Sequence, residues 1–148
     1  MNKISKIDNF AIDIERQLVE ISAAECEESL VSFIQQAWHI VEPGADYIHN
    51  WHVDMIAEHL EAITYGVELE DGGLYNRLLI NVPPGMMKSL LTNVFWPAWE
   101  WGPKNMPHLR YLCASHSMDL AIRDSTKMRR LIESEWYQER WGDRVRLT

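Results

Sequence analysis

Apolar residues recur at helical spacing over the first forty residues of the chain. Residues 7–20 form an amphipathic pattern. Ser22 and Glu25 then have the spacing of a capping box, which predicts a second helix that begins there and ends near Trp38. Pro43-Gly44 breaks this pattern, so we predict a helical amino-terminal segment over residues 1–42.

A third helix is predicted to begin at Asn50, whose side chain can cap it, and to stop at Gly66. Its apolar positions fall on one stripe, which consists of Val53, Ile56, Ala57, Leu60 and Ile63.

Two short apolar runs follow, at residues 77–82 and 109–114, and both are typical of buried strands bounded by turns. Between them, residues 86–100 have a helical pattern that Pro97 should kink or end. After them, Ser117 can cap another helix. Alternating strands and helices predict an α/β fold, a parallel sheet with crossover helices.

The 148 residues suit one hydrophobic core. The formal net charge is −8, the opposite of what a module that grips DNA phosphates across its surface needs, so any contact with nucleic acid must be local. The sequence has no apolar run of membrane-spanning length and no amino-terminal signal pattern. We therefore expect a soluble, cytoplasmic protein without a membrane partner.

Most of the cysteines, tryptophans and histidines suggest packing rather than chemistry. Cys26 and Cys113 form no CxxC or zinc pattern, and we expect both to be small buried hydrophobes. The cluster of Trp96, Trp99 and Trp101 predicts core or interface packing rather than base stacking. No HExxH pattern occurs, and we interpret His49, His52 and His59 as surface or packing residues.

Residues 83–89 carry the most specific chemistry. A predicted strand leads through Pro-Pro-Gly into Lys88 and Ser89 at a helix start, where backbone N–H groups can bind phosphates, the lysine can reach the β and γ phosphates, and the hydroxyl can bind Mg²⁺. Val82 and Met87 stand where the strict phosphate-loop pattern has glycine, while Gly85 can supply some backbone freedom. The alternative is a proline turn with an exposed lysine and a serine cap.

Several pieces of residues 38–142 occur in the order of a known family. They are Trp51-His52, LINVPPGMMKSL at residues 79–90, VFWPAWEWG at 94–102, ASHS at 114–117, and an Arg-x-Leu-Ile-x-Ser-x-Trp-Tyr pattern at 129–137. Together they resemble the amino-terminal part of tailed-phage and prophage terminase large subunits, in the branch whose loop reads Pro-Pro-Gly-x-x-Lys-Ser.

The resemblance implies a partial P-loop NTPase, with residues 43–148 as the first part of an ATPase domain that follows the helical segment. It implies ATP and Mg²⁺ as cofactors and a motor that moves double-stranded viral DNA into procapsids. The partners it implies are that DNA, the small terminase subunit, the portal protein and, at full length, further copies of the chain. Full-length members also carry a nuclease domain.

Carried over by position, Lys88 acts on the phosphates, Ser89 holds the metal, and the remaining loop residues are Pro84, Gly85, Met86, Met87 and Leu90. Trp51-His52 falls where many members have an aromatic-Gln pair that recognises adenine; the alternative is a stacked tryptophan and a solvent-facing histidine.

Arg123, Lys127 and Arg130 make one basic stripe at helical spacing, either a solvated face or a contact with a phosphate or a subunit. Their neighbour Arg129 matches the family's arginine, which implies a finger that reaches the ATP of a neighbouring subunit.

The acidic metal-binding residue and the water-positioning residue of P-loop hydrolysis are missing from the sequence, as is a two-metal nuclease cluster. We therefore expect nucleotide binding at most from this chain alone, whether it is a gene fragment, a prophage remnant or part of a split gene. The rival hypothesis is a noncatalytic assembly module whose acidic helices and tryptophan cluster bind another subunit. A phosphotransferase for a small molecule is disfavoured because no lid segment is recognisable.

Overall fold

The computed structural model describes residues 4–145, and every regular element in that range is helical. The elements are α1 (Ile4–Glu28), α2 (Leu30–Val41), α3 (Trp51–Thr64), α4 (Lys88–Leu90), a π-helical turn (Leu91–Phe95), α5 (Trp96–Trp101), α6 (Met118–Glu133) and α7 (Glu135–Trp141).

The first helix boundary differs from the prediction. Helix α1 continues through Ser22, whose hydroxyl donates to Gln36 Oε1 at 2.6 Å instead of capping a helix. The break comes at Ser29, whose Oγ accepts from the N–H of Ser32 at 3.4 Å and so caps α2. The capping box at Ser22 and Glu25 is therefore wrong, because a local spacing rule cannot register that Gln36 competes for the hydroxyl.

Helix α3 confirms the prediction in its bounds and its buried face. Asn50 is its N-cap residue, although its side chain makes no capping hydrogen bond. Gly66 has a φ of 63°, the left-handed torsion that favours glycine after a helix. The buried positions of the predicted stripe are Val53, Ile56, Ala57 and Leu60, whereas Ile63 is only half-buried.

The helix predicted over residues 86–100 is present as α4, the π-helical turn and α5, which follow one another without a gap over residues 88–101. Pro97 lies near the start of α5. It has no N–H to donate to the carbonyl one turn earlier, and its ring crowds that carbonyl. The wider turn at Leu91–Phe95 accommodates the defect, so the helix changes pitch where the sequence predicts a kink.

The predicted α/β fold and the partial P-loop NTPase sheet are wrong. Within residues 4–145 there is no strand, and the only ladder contact is an isolated antiparallel bridge between Glu68 and Leu74. Residues 77–82 and 109–114 join no helix or ladder, and no backbone hydrogen bond links the two segments. Leu79 and Leu112 are 87% and 98% exposed instead of buried. A short apolar run specifies a strand only if another strand supplies N–H and C=O partners.

One hydrophobic core draws on both the predicted helical segment and the residues after it, from Cys26 to Val145. Trp99 is fully buried, and its Nε1–H donates to the carbonyl of Cys26 at 2.6 Å. Trp96 and Trp101 pack against the same core, which confirms the predicted packing of the tryptophan cluster. The end of the second predicted segment, residues 146–148, lies outside the described residues.

Helices α5 and α7 approach closely at Gly102. The Tyr137 hydroxyl donates to the carbonyl of Ala98 at 2.7 Å, and a Cβ on residue 102 would lie 2.3 Å from that hydroxyl oxygen. Only glycine fits there. The hydrogen bond from Tyr137 to Ala98 holds α7 against the end of the helical segment that begins at Lys88. Among the helices of residues 4–145, none is both long and apolar enough to cross a bilayer.

Candidate functional site

The loop before α4 turns sharply at two positions. Gly85 and Met87 have φ angles of 87° and 57°, and the Met86 N–H donates to the Pro83 carbonyl at 3.4 Å. Glycine adopts such torsions freely, whereas for a residue with a side chain the left-handed conformation is less favourable by on the order of 1 kcal/mol of free energy. The chain therefore adopts at Met87 a left-handed conformation that normally calls for glycine, and Gly85 makes the preceding turn.

Met87 is the N-cap residue of the helical segment, and its carbonyl accepts from the Leu91 N–H at 2.9 Å. The N–H groups of Lys88, Ser89 and Leu90 lie in the first turn, where no earlier helical carbonyl can accept from them. No side-chain acceptor for these three donors occurs in the described part of the chain. Backbone donors at such a position can bind an anion.

The loop forms one side of a cleft of about 550 Å³, and the end of α2 and one face of α6 contribute to its walls. The cleft brings together residues that are far apart in sequence. The lining residues are Trp38, Glu42, Ala45, Val82, Pro83, Pro84, Gly85, Met86, Met87, Lys88, Ser89, Leu90, Arg123 and Lys127.

Charge in the cleft is opposite to that of the whole chain. Among the residues that the structure describes, its lining holds the cations Lys88, Arg123 and Lys127 and the carboxylate Glu42, whereas the chain as a whole carries −8. Asp124, which pairs with Arg123, and Glu42, which pairs with Lys127, each offset one of these cations, so the excess positive charge in the cleft comes from Lys88. Exposed charges act within about one Debye length, roughly 8–10 Å at physiological salt, so an anion in this cleft would be attracted mainly by Lys88.

Two of these cations already have partners. Lys127 Nζ forms an ion pair with Glu42. Arg123 donates through Nε and Nη2 to Asp124 Oδ1 at 2.9 and 2.7 Å. Lys88 is exposed and forms no ion pair among the described side chains. It is therefore the cation of the cleft that is most readily available to a ligand.

One aromatic side chain in the cleft lining is held in place. Trp38 is 8% exposed, its Nε1–H donates to the Ala45 carbonyl at 2.7 Å, and its ring stacks on Phe95 with centroids 6.2 Å apart. These contacts hold the indole in one position. The cleft therefore combines the turn of the loop and its charged residues with one rigid aromatic ring.

The structure does not bring Trp51 and His52 to this cleft. Trp51 is 69% exposed, and His52 is buried rather than solvent-facing. Their rings stand nearly perpendicular, with centroids 6.3 Å apart. Both ring nitrogens of His52 lack a hydrogen-bond partner among the residues that the structure describes. The pair and the predicted phosphate loop are thus separate features of the surface.

The basic stripe of α6 is divided by the structure. Arg123 and Lys127 line the cleft, whereas Arg130 does not. Arg129 also lies outside the cleft, is exposed, and donates to Glu133 Oε1 at 2.9 Å one turn later. Its guanidinium therefore lies away from the cleft of its own chain and is paired with Glu133.

Metal-binding groups are sparse in residues 4–145, where no cluster of three or more His, Cys, Asp or Glu side chains could hold a metal ion. The Ser89 hydroxyl lines the cleft as an oxygen donor, as does the Glu42 carboxylate, which is already paired with Lys127. Mg²⁺ is commonly bound by one or two protein oxygens together with substrate phosphates and water. The donor set fits a phosphate-bound Mg²⁺ and not a metal held by protein alone.

Sequence patterns indicated the loop, Arg123 and Lys127 but missed Trp38, Glu42 and Ala45. These three residues lie about forty positions upstream of the loop and follow no motif. The only local signal is the Pro43-Gly44 break, which ends α2 beside the cleft. Comparison of the chain with protein-family models, curated proteins and solved structures finds no match.

Proposed function

We propose that this chain binds ATP with Mg²⁺ through residues 83–89, as the ATP-binding amino-terminal part of a phage terminase large subunit. The observation that supports the nucleotide proposal is the cleft beside the loop, where Lys88 forms no ion pair among the described side chains and Arg123 and Lys127 line the same cleft of an otherwise acidic chain. The terminase assignment rests on the sequence resemblance across residues 38–142.

In this proposal, Lys88 and the first-turn N–H groups bind the β and γ phosphates. Arg123 and Lys127 add positive charge from α6, and Ser89 contributes a hydroxyl to Mg²⁺. The proposal does not depend on a parallel sheet, because successive backbone N–H groups in a turn with left-handed residues form an anion-binding concavity by themselves. Gly85 and Met87 provide that type of turn.

DNA packaging, by contrast, requires partners. We propose that the complete protein acts on double-stranded viral DNA in the bacterial cytoplasm, with the small terminase subunit and the portal protein. The exposure of Arg129 supports its proposed role at the ATP of a neighbouring copy in a homo-oligomer, since a side chain facing solvent can reach another subunit.

The test is the thermal midpoint of the wild type, Lys88→Ala and Arg130→Ala, each with and without saturating Mg-ATP. A ligand at about 100 times its dissociation constant stabilises the folded state by roughly 2.7 kcal/mol. We expect this to raise the midpoint of the wild type and of Arg130→Ala by several degrees, with little change in Lys88→Ala. Arg130 is the matched control because it is a cation of α6 outside the cleft.

Equal stabilisation of all three proteins would show that ATP binds elsewhere, and no stabilisation of a folded wild type would refute the nucleotide site. The second outcome would favour the assembly-module hypothesis. One observation supports that alternative: the acidic helix α1 keeps large apolar side chains exposed. The tryptophan cluster, the other surface of the assembly-module hypothesis, packs against the core of this chain instead.

A further inference from the structure

Helix α1 carries an apolar stripe that the fold leaves uncovered. Phe10, Ile14, Leu18 and Ile21 are spaced by three or four residues and are 67%, 40%, 60% and 58% exposed. At about 100° per residue, these four positions fall within roughly 80° of one another on the helix surface. Such spacing is the pattern of a helix face that packs against a partner.

This stripe lies on the side of α1 opposite to the side that packs against the rest of the chain. The row that faces the rest of the chain includes Ala23 and Cys26, of which Cys26 is fully buried and Ala23 packs against the core, and the half-buried Val19 lies on the same side of the helix. Helical geometry puts the centre of the exposed stripe roughly opposite that row. The four side chains therefore point away from the hydrophobic core of this chain.

The rim of the stripe is acidic. Asp13, Glu15 and Glu20 flank it, all three are exposed, and none forms an ion pair with another described side chain. Over its full length, α1 holds seven acidic and two basic residues. The negative charge of the rim therefore favours a positively charged partner surface over a negatively charged one.

We propose that this face of α1, the stripe Phe10-Ile14-Leu18-Ile21 with its acidic rim, docks a basic amphipathic helix of another protein. An apolar face on the partner covers the stripe, and flanking lysines or arginines meet the acidic rim. A second copy of α1 would place acidic rims against each other, and an anionic lipid surface would repel them. The partner chemistry follows from this sign of charge.

The probe is a labelled helical peptide with leucines on one face and lysines along both flanks, compared with a peptide that differs only in having glutamates on the flanks. Binding is measured by fluorescence anisotropy. We expect the lysine-flanked peptide to bind at least about tenfold more tightly, and less tightly as salt is raised. Equal binding of the two peptides, or no binding of either, would overturn the proposal.

Variants assign the binding to the stripe. Ile14→Ser/Leu18→Ser should weaken binding of the lysine-flanked peptide by at least about tenfold, because each buried aliphatic side chain contributes on that order. Ile122→Ser is the matched control, since it removes an exposed isoleucine from α6. Asp13→Lys/Glu20→Lys should shift the preference toward the glutamate-flanked peptide. Unchanged binding in the double serine variant, or an unchanged preference in the double lysine variant, would contradict the proposal.

Two further measurements separate the other occupants. Sedimentation should give a monomer, and vesicles containing phosphatidylglycerol should not retain the protein. Self-association or vesicle binding that the double serine variant abolishes would overturn the proposal in favour of that occupant. The docking proposal is independent of the nucleotide site, so Lys88→Ala should bind the lysine-flanked peptide as the wild type does.

Discussion

Lys127 on α6 forms an ion pair with Glu42, which directly follows α2, and both side chains line the cleft beside the loop at residues 83–89. The pair joins residues 85 positions apart and is partly screened from solvent, with side chains 20% and 30% exposed. Glu42 has two opposing effects there. It holds Lys127 at the cleft, and it neutralises the charge that an anionic ligand would meet.

Glu42→Gln should therefore strengthen binding of Mg-ATP. The substitution removes the Glu42 carboxylate from the cleft lining and leaves Lys127 free to contact a phosphate. Because a unit charge a few ångströms from a phosphate contributes on the order of 1 kcal/mol even in a watery environment, we expect affinity to rise about threefold or more. Titration calorimetry of the wild type and the variant measures the change.

Glu133→Gln is the matched control, because it breaks an ion pair of α6 outside the cleft and should leave the affinity unchanged. Lys127→Ala should weaken binding. If Glu42→Gln instead binds Mg-ATP more weakly, then the role of Glu42 is to position Lys127 or to hold Mg²⁺, and the charge argument is wrong.

Gly85→Ala should destabilise the chain by about 1–2 kcal/mol, the cost of placing an L-residue in the left-handed region. No heavy atom lies within 4 Å of a Cβ built on residue 85, so the cost is conformational rather than steric. Unfolding in urea measures it. Gly44→Ala is the control, with equally open space and no positive φ, and should change stability by less than about 0.5 kcal/mol. Equal effects would show that the loop conformation is not strained by alanine.

The sequence predicted α3 and the helix over residues 86–100 well because their signals are local, whereas it misplaced the boundary between α1 and α2 and did not predict α7. The buried stripe of α3 and the stop at Gly66 follow from spacing and from one torsion, and both are present. The helix over residues 86–100 was predicted together with its irregularity at Pro97. In each case, the residues that determine the element lie within a turn or two of one another.

The sheet and half of the cleft could not be predicted in the same way. The apolar runs around Leu79 and Leu112 favour extended backbone, but a strand also needs a hydrogen-bonding partner from elsewhere in the chain. The described chain supplies no partner strand to either run, and the Leu109 N–H instead donates to the Met106 carbonyl in a turn. Likewise, Trp38 and Glu42 reach the cleft only because α2 packs against α6, a tertiary contact that no motif records.

Glu100 is a buried carboxyl group in the core, 4% exposed, and its Oε1 accepts from the Thr64 hydroxyl at 2.7 Å. The same hydroxyl oxygen accepts from Trp96 Nε1–H at 2.9 Å, so Thr64 links the carboxyl group to the tryptophan cluster. Burial raises the pKa of Glu100, and the hydrogen bond from Thr64 only partly opposes this effect. The folded state therefore disfavours the charged form of Glu100.

Because folding raises the pKa of Glu100, the direction in which pH changes its contribution to stability is determined. The folded state holds the Glu100 proton more tightly than the unfolded state does, so this contribution to stability is complete below the unfolded pKa, about 4.3, and is lost as pH rises through the folded pKa. At neutral pH, Glu100→Gln should therefore raise the free energy of unfolding by on the order of 1 kcal/mol, because the amide oxygen can still accept from Thr64 and no charge is buried.

The measurement is urea unfolding of the wild type and Glu100→Gln at pH 7 and near pH 4, with Glu58→Gln as a control that neutralises an exposed glutamate of α3. The advantage of Glu100→Gln should shrink at the lower pH, where the wild-type carboxyl group is itself protonated. If Glu100→Gln is less stable than the wild type at pH 7, the charged carboxylate of Glu100 stabilises the fold. Its burial would then be offset by a partner other than Thr64.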